Sequence, residues 1–513
     1  MSEAPERGMI AFIERVGRHI PDPVLLFISF WLLAFAGSVA LGGLTFSYQG
    51  ADGQPVNLAI RNMADSDNIR WLFDNALLTN WLGFGGGVLG VILVVMLGVG
   101  LADQSGLFTA LLKKAGRAVP VNLLPLLLVF LGVVSNLASD AGYLVLIPLA
   151  GVLYAGLGKN PLIGMAAAFA GVSAGFSANL IPATSSDVIV GMNAKVFAES
   201  QGIPFVNGMG EALTPATMNY YFLLASAFVL GGIGAWVTHR FVQPRLERKP
   251  FQLPTELQIG DFDLSAGERQ GLRAAGIALV LALAVVAALA NGPLAPYVNE
   301  QGQRVVPYLN NVILLIAFVF GSVGAAFGWA AGRYNRPMDL VRAMVKQMET
   351  MGYILVLTFF CYNFLGLLNY SGLGSYVTYL GAQGLTALGL EQSPILLLVG
   401  FVLTAAVINL FVGGMTSKWM LLGPIFIPML YLVNPQMTPD LVSAAFRVGD
   451  SATNVITPMM SYAGIVLAFM RRYQPEMTIG EMIALMMPYS IAFLGAWMFL
   501  LITFFTLEIP LGF

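Results

Sequence analysis

The middle of this chain is written twice. Gln104-Ser105-Gly106-Leu107 returns as Tyr370-Ser371-Gly372-Leu373. Ser135-Asn136-Leu137, a polar patch and an apolar run to Pro148 return as Ile408-Asn409-Leu410, a polar patch and an apolar run to Pro428. Ser177-Ala178-Asn179-Leu180-Ile181-Pro182 returns, one residue longer, as Ala452-Thr453-Asn454-Val455-Ile456-Thr457-Pro458. The serines and the two asparagine pairs are offset by 266, 273 and 275 residues. Three landmarks in one order with slowly drifting offsets indicate an internal duplication. In an apolar chain, a duplicated unit broken at matching Gly, Pro and Asn positions is the pattern of a secondary transporter, whose substrate sits where the broken segments meet.

With 57% hydrophobic and 10% charged residues, the chain is excluded from the soluble globular class. Runs such as Val24–Leu44, Val88–Leu101, Ala274–Ala290, Val312–Ala331 and Ile491–Leu507 approach the roughly 20 residues that cross a bilayer as a helix. The short alternating strands of a barrel are absent from the pattern. A net charge of −2 offers no basic patch for nucleic acid. Residues 1–22 lack the apolar core and small-residue site of a cleaved signal peptide. A single cysteine, Cys361, excludes an internal disulfide framework and reads as a packed side chain in a span.

Orientation follows from the basic residues, which gather on the cytoplasmic side. Clusters lie at Arg7, Arg15 and Arg18, at Lys113, Lys114 and Arg117, and at Arg240, Arg245, Arg248 and Lys249. Others lie at Arg333, Arg336, Arg342 and Lys346, and at Arg471 and Arg472. Placing all of them inside predicts an all-α polytopic protein with about nine spans. These are 23–44, 82–102, 161–190, 219–239, 271–290, 309–331, 351–369, 441–469 and 483–507. Residues 1–22 are then cytoplasmic and 508–513 outside. Segments 120–157 and 395–433 have polar centres and are predicted as re-entrant helical hairpins, which are tolerated where their tips are buried in protein or face a cavity. The first hairpin enters from the cytoplasm and the second from outside. The repeats are therefore inverted: 23–239 and 309–507, separated by a linker, connecting span and outer loop at 240–308. Residues 45–80 and 191–218 read as outer loops.

A charge at bilayer depth costs at least about 2.5–3.5 kcal/mol, so each one asks for a reason. Asp140, Asp187, Lys418, Arg447 and Asp450 lie in or beside the breaks. Arg447 and Asp450 stand one helical turn apart and fit two roles. They can form a simple ion pair, or the Arg can offer a planar fork to a substrate carboxylate while the Asp holds a cation or proton. Asn136, Asn179, Asn409 and Asn454 form repeat-related pairs whose carbonyl oxygens suit a hard cation such as Na+. Half-helix N-termini at the same breaks favour an anion.

Weaker signals need less. Gly171-Val172-Ser173-Ala174-Gly175 matches the G-x-S-x-G elbow of hydrolases, but inside an apolar helical run. The only histidines, His19 and His239, fall at membrane edges, so an enzyme is not expected. The Gly83/Gly87 and Gly86/Gly90 spacings suit close helix packing. Trp419, beside a hairpin tip, fits either a stacking platform for an aromatic substrate or an interfacial anchor. No G-x-x-x-x-G-K-[ST] segment is present, which argues against ATP-driven pumping.

At Ser135–Asp140, at Asn409–Trp419 and at Arg447–Asn454 the chain resembles the p-aminobenzoyl-glutamate transporter (AbgT) family, part of a wider ion-transporter superfamily with paired hairpins. The resemblance spans essentially the whole chain. It implies a bowl-shaped homodimer in the inner membrane, with an inner scaffold and an outer hairpin-bearing part that moves in an elevator-like way. It also implies cation-coupled movement of p-aminobenzoyl-glutamate or related anionic aromatic amides, with sulfonamide export as a further activity. A sodium-coupled dicarboxylate carrier of the same superfamily is the alternative. By local match, Asn409 and Asp450 look like sodium-site residues, and Trp419 and Arg447 like substrate-site residues. Thr416 and Ser417 stand at the family's hairpin tip, and Asp187 matches a first-repeat acidic residue. No resident cofactor is implied; Na+ is the expected coupling ion and H+ its alternative.

Overall fold

The computed structural model describes residues 21–49, 55–84, 88–116, 120–135, 142–252, 264–298, 304–305, 307–349, 351–412, 414–457, 460 and 462–513. Helices dominate. Among the described residues, six are apolar and long enough to cross a membrane: Pro23–Ala40, Tyr220–Leu246, Ala266–Ala290, Gly352–Ser371, Met415–Val433 and Ile479–Thr506. The predicted spans 82–102 and 309–331 correspond to the helices Val88–Gln104 and Val312–Ala330. Spans 161–190 and 441–469 are not continuous. The first is Pro161–Phe169 with a π-turn Ala170–Ala174, an irregular stretch, then Ser185–Glu199. The second is Pro439–Ala452, a short 3-10 turn Asn454–Ile456, then Ala463–Arg471. Pro182 explains the first break locally, because it lacks an N–H and disfavours helical geometry in the preceding residue. The following Ala183 is buried with φ +57°, a strained conformation for a residue with a Cβ.

The duplicated Ser-Gly landmarks fold into the same turn. Ser105 Oγ donates to the Ala102 carbonyl (2.7 Å) and accepts from Leu107 N (3.2 Å). Ser371 Oγ repeats this with Leu368 O (3.3 Å) and Leu373 N (3.3 Å). Gly106 and Gly372 follow at φ +85° and +79°, the left-handed region where glycine avoids the Cβ penalty.

The first hairpin has the arms Leu124–Ser135 and Ile147–Gly156, the latter entered through a π-turn Gly142–Leu146. The second has the arms Pro394–Asn409 and Met415–Val433. Among the described residues, each arm packs mainly against other elements rather than its hairpin partner. Pro394–Asn409 lies along Pro439–Ala452, and Met415–Val433 along Leu373–Ala387 and Ser185–Glu199. The expected outer loop 191–218 therefore begins as helix, because Ser185–Glu199 must run on to support the second hairpin.

The described parts of the expected loop 45–80, residues 45–49 and 55–80, carry secondary structure as well. An antiparallel pair, Thr45–Gln49 and Pro55–Ala59, precedes the helix Ser66–Asn75. Phe46 packs on Tyr376 (5.1 Å between ring centroids), and Trp71 stacks on Tyr370 at 3.8 Å. The loop is thus clamped over the Ser371 turn.

One large apolar core joins both hairpins and both broken helices. A separate cluster of Ala102, Leu107, Ala110, Ala275, Val323 and Phe327 ties Val88–Gln104 to Ala266–Ala290 and Val312–Ala330. Here the approach of backbones is close: a Cβ on Gly98 would lie 2.2 Å from Ala317 O, and one on Gly324 2.4 Å from Ala102 N. The glycines singled out by spacing do not play this part where they are described. Gly90 faces nothing within 4 Å and Gly83 meets only its own turn. Ala266–Ala290 exposes Ile277, Val280, Leu281 and Leu283, a surface stable only against lipid or another apolar face.

Candidate functional site

Two buried ion pairs meet on Pro439–Ala452, whose residues are all buried. Arg447 and Asp450 share a face of this helix, as their spacing requires, yet do not pair with each other. Each turns to a different neighbour. Arg447 Nη2 lies 2.5 Å from Asp187 Oδ1, and Lys418 Nζ lies 2.6 Å from Asp450 Oδ1. All four side chains are at most 5% exposed. The simple 447–450 pair is replaced because Asp187 from the first broken helix and Lys418 from the second hairpin both converge on this face.

The two carboxylates are held very differently. Thr184 and Asp187 form a capping box at the start of Ser185–Glu199, a signature legible as Thr-x-x-Asp after a proline. Asp187 Oδ2 accepts from Thr184 Oγ1 (2.7 Å), Thr184 N (2.9 Å) and Asn179 Nδ2 (3.1 Å), while Oδ1 faces the guanidinium. Asp187 is therefore fully satisfied. Asp450 has neither carboxylate oxygen in a hydrogen bond within the described residues. The Lys418 ammonium is close to it but not aligned as a hydrogen-bond donor, so charge attraction holds the pair.

Asn409 organises the same corner. Its Oδ1 accepts from Lys418 Nζ. Its Nδ2 reaches the Asp450 carbonyl (2.6 Å), Thr453 Oγ1 (2.8 Å) and Asn454 Oδ1 (2.9 Å). Asn454 Nδ2 in turn donates to Ser173 O of the first repeat (3.3 Å). Ser451 Oγ donates to Ser177 Oγ at 2.7 Å, so the two broken segments are in direct contact. Asn179 Oδ1 and Arg447 Nε remain buried without hydrogen-bond partners among the described residues.

Of the residues expected at the site, Asp187, Asn179, Arg447, Asp450, Asn409 and Asn454 come together here. Asn136 and Asp140 lie outside the described residues. Thr416 and Ser417 open the second arm of the hairpin, Thr416 half-buried and Ser417 bonded through Oγ to Gly414 O (3.0 Å). Trp419 is fully enclosed by protein. Its Nε1 donates to Val190 O (3.0 Å), and its ring packs on Phe446 (4.9 Å) and Phe197 (6.1 Å). Lys418, a charge beside the breaks in the sequence, takes a defined place here, and so do Thr184, Ser177, Ser451 and Thr453, to which the sequence assigns no role of their own. Of these, only Thr184 carried a local signal. The G-x-S-x-G segment folds as the buried π-turn Ala170–Ala174, with Ser173 Oγ bonded to Met460 Sδ (3.0 Å) and no nucleophile elbow.

Comparison with known proteins agrees with this architecture. The chain is 28% identical to the p-aminobenzoyl-glutamate transport protein of Escherichia coli (strain K12), over all of this chain and 97% of that one. Its structure superposes on the YdaH transporter of Alcanivorax borkumensis with a TM-score of 0.85 and 36% identity, covering 96% of this chain and 100% of the other. Against MtrF of Neisseria gonorrhoeae, described as illuminating a class of antimetabolite efflux pumps, the TM-score is 0.84 at 33% identity, covering 96% of each. A profile of the AbgT transporter family matches residues 8–513. With its apolar helices, two hairpins and matching profile over nearly its whole length, the chain belongs to the AbgT family of multi-pass membrane transporters.

Proposed function

We propose that this transporter carries p-aminobenzoyl-glutamate, or a related anionic aromatic amide, across the inner membrane by coupling it to a cation, as a homodimer of inverted repeats. The observation that carries the reading is the double ion pair at the joint of the broken helices, with one carboxylate satisfied and the other not. Four buried charges sum to zero. An incoming anion at Arg447, whose Nε edge has no hydrogen-bond partner, unbalances that sum. A cation added on the oxygens of Asp450 and Asn409, with the Lys418 charge displaced but still beside them, restores it, which is a physical reason for the two to move together. The guanidinium fork suits a carboxylate. The name of the E. coli relative supports the substrate, and the description of MtrF as illuminating a class of antimetabolite efflux pumps supports export of an antimetabolite, for which sulfonamides, mimics of p-aminobenzoate, are our candidate.

The test is uptake into proteoliposomes under separately imposed Na+, pH and voltage gradients, with labelled p-aminobenzoyl-glutamate against a labelled dicarboxylate. Accumulation of p-aminobenzoyl-glutamate driven by a Na+ gradient is expected. Uptake of the dicarboxylate alone would make this a dicarboxylate carrier. Uptake driven by pH and indifferent to Na+ would assign the coupling to protons.

A further inference from the structure

We propose that Lys418 is a tethered cation: its ammonium fills the cation position between Asp450 and Asn409 in the ion-free state, and sodium enters only as it leaves. The proposal rests on the reading that these oxygens take the coupling ion. Hard cations select oxygen ligands, and the Lys418 Nζ sits among just such atoms, the Asp450 carboxylate and Asn409 Oδ1. The ammonium carries the same single charge as sodium.

The contrast with the neighbouring pair points to this role rather than to a plain strut. Asp187 has three donors on Oδ2 besides the guanidinium on Oδ1, so losing Arg447 leaves those hydrogen bonds standing. Among the described residues, Asp450, 1% exposed, has the ammonium alone to answer its charge. A carboxylate charge buried this completely needs a countercharge beside it. One cation must be present, and the chain supplies its own until another arrives. Lys418 lies on the hairpin arm Met415–Val433 and Asp450 on Pro439–Ala452. Exchange of ammonium for sodium would therefore break a link between the hairpin and the broken helix and connect ion entry to hairpin movement. Apparent affinity falls in proportion to the fraction of time a site is available. A site filled by the ammonium nine-tenths of the time gains about tenfold in sodium affinity when the ammonium is removed.

The experiment is thermal unfolding of purified full-length protein in sodium chloride and in N-methylglucamine chloride of equal ionic strength. The parent, Lys418→Met and the double variant Lys418→Met/Asp450→Asn are compared. Lys418→Met is expected to melt lower than the parent without sodium and to recover as sodium is added, with an apparent affinity about tenfold tighter than the parent's. The double variant is expected to be indifferent to sodium. Equal melting of Lys418→Met in both salts overturns the proposal. So does failure of Lys418→Met to fold in sodium while the double variant folds, because sodium then cannot replace the ammonium. Binding is read without transport, so the two readings fail separately. Parent uptake indifferent to Na+ rejects sodium coupling yet leaves a sodium-rescued Lys418→Met standing. Sodium-driven uptake beside an unresponsive Lys418→Met rejects only the role of Lys418.

Discussion

Asp187 and Arg447 decide at the scale of single residues how structure and function share one site. Removing one partner of a buried pair typically costs about 3–5 kcal/mol, whereas replacing both by apolar residues is often neutral. Arg447→Met and Asp187→Leu should each lower the melting temperature, and the double variant should regain the part owed to the unpaired charge but not the capping box lost with Asp187. Additive losses in the double would mean that the pair is not the dominant interaction of either residue. Arg447→Lys keeps the charge but loses the planar fork. Uptake of a carboxylate substrate should fall sharply while the melting temperature stays near the parent's. Unchanged uptake would remove Arg447 from substrate recognition.

At the scale of elements, the break before Ser185–Glu199 is held by its capping box. Thr184→Ala removes the Oγ1 contact to Asp187 and the cap on the helix start, for a loss of about 0.5–2 kcal/mol. Chemical denaturation should show that loss, and transport should fall with it because Asp187 is loosened beneath Arg447. A Thr184→Ser variant, which keeps the hydroxyl, should retain both properties. The crossing of Val88–Gln104 with Val312–Ala330 makes a separate demand. A side chain at Gly98 meets Ala317 backbone, which cannot swing aside as a flexible side chain would. Gly98→Leu should therefore destabilise by at least the roughly 1–3 kcal/mol of an overpacked core, and Gly90→Leu, with open space around it, should not. Equal melting temperatures for the two variants would contradict the close crossing.

The whole molecule raises the question of orientation. With every basic cluster placed inside, reporter fusions should find the N-terminus in the cytoplasm and the C-terminus outside. Both ends on one side would rule out an odd number of spans and, with it, the inverted arrangement of 23–239 and 309–507. The contact between Ser177 and Ser451 is what such a duplication requires at its centre, since neither broken helix can satisfy its freed backbone and polar groups alone.

The sequence by itself determined that the chain is apolar, helical and duplicated, because hydrophobic run length and repeated Ser, Gly, Asn and Pro are local quantities. It also determined where the spans must break, because Pro182 removes a backbone donor wherever the rest of the chain goes. What only the tertiary structure decided is who faces whom. Arg447 and Asp450 are equally placed to pair with each other by spacing, and nothing local reveals that Asp187 and Lys418 arrive from elsewhere to claim them. Trp419 is likewise free to be anchor or platform until Val190, Phe197 and Phe446 close around it. Buried charges are settled by the partner that comes within a few ångströms, and that partner is chosen by packing between segments far apart in the chain.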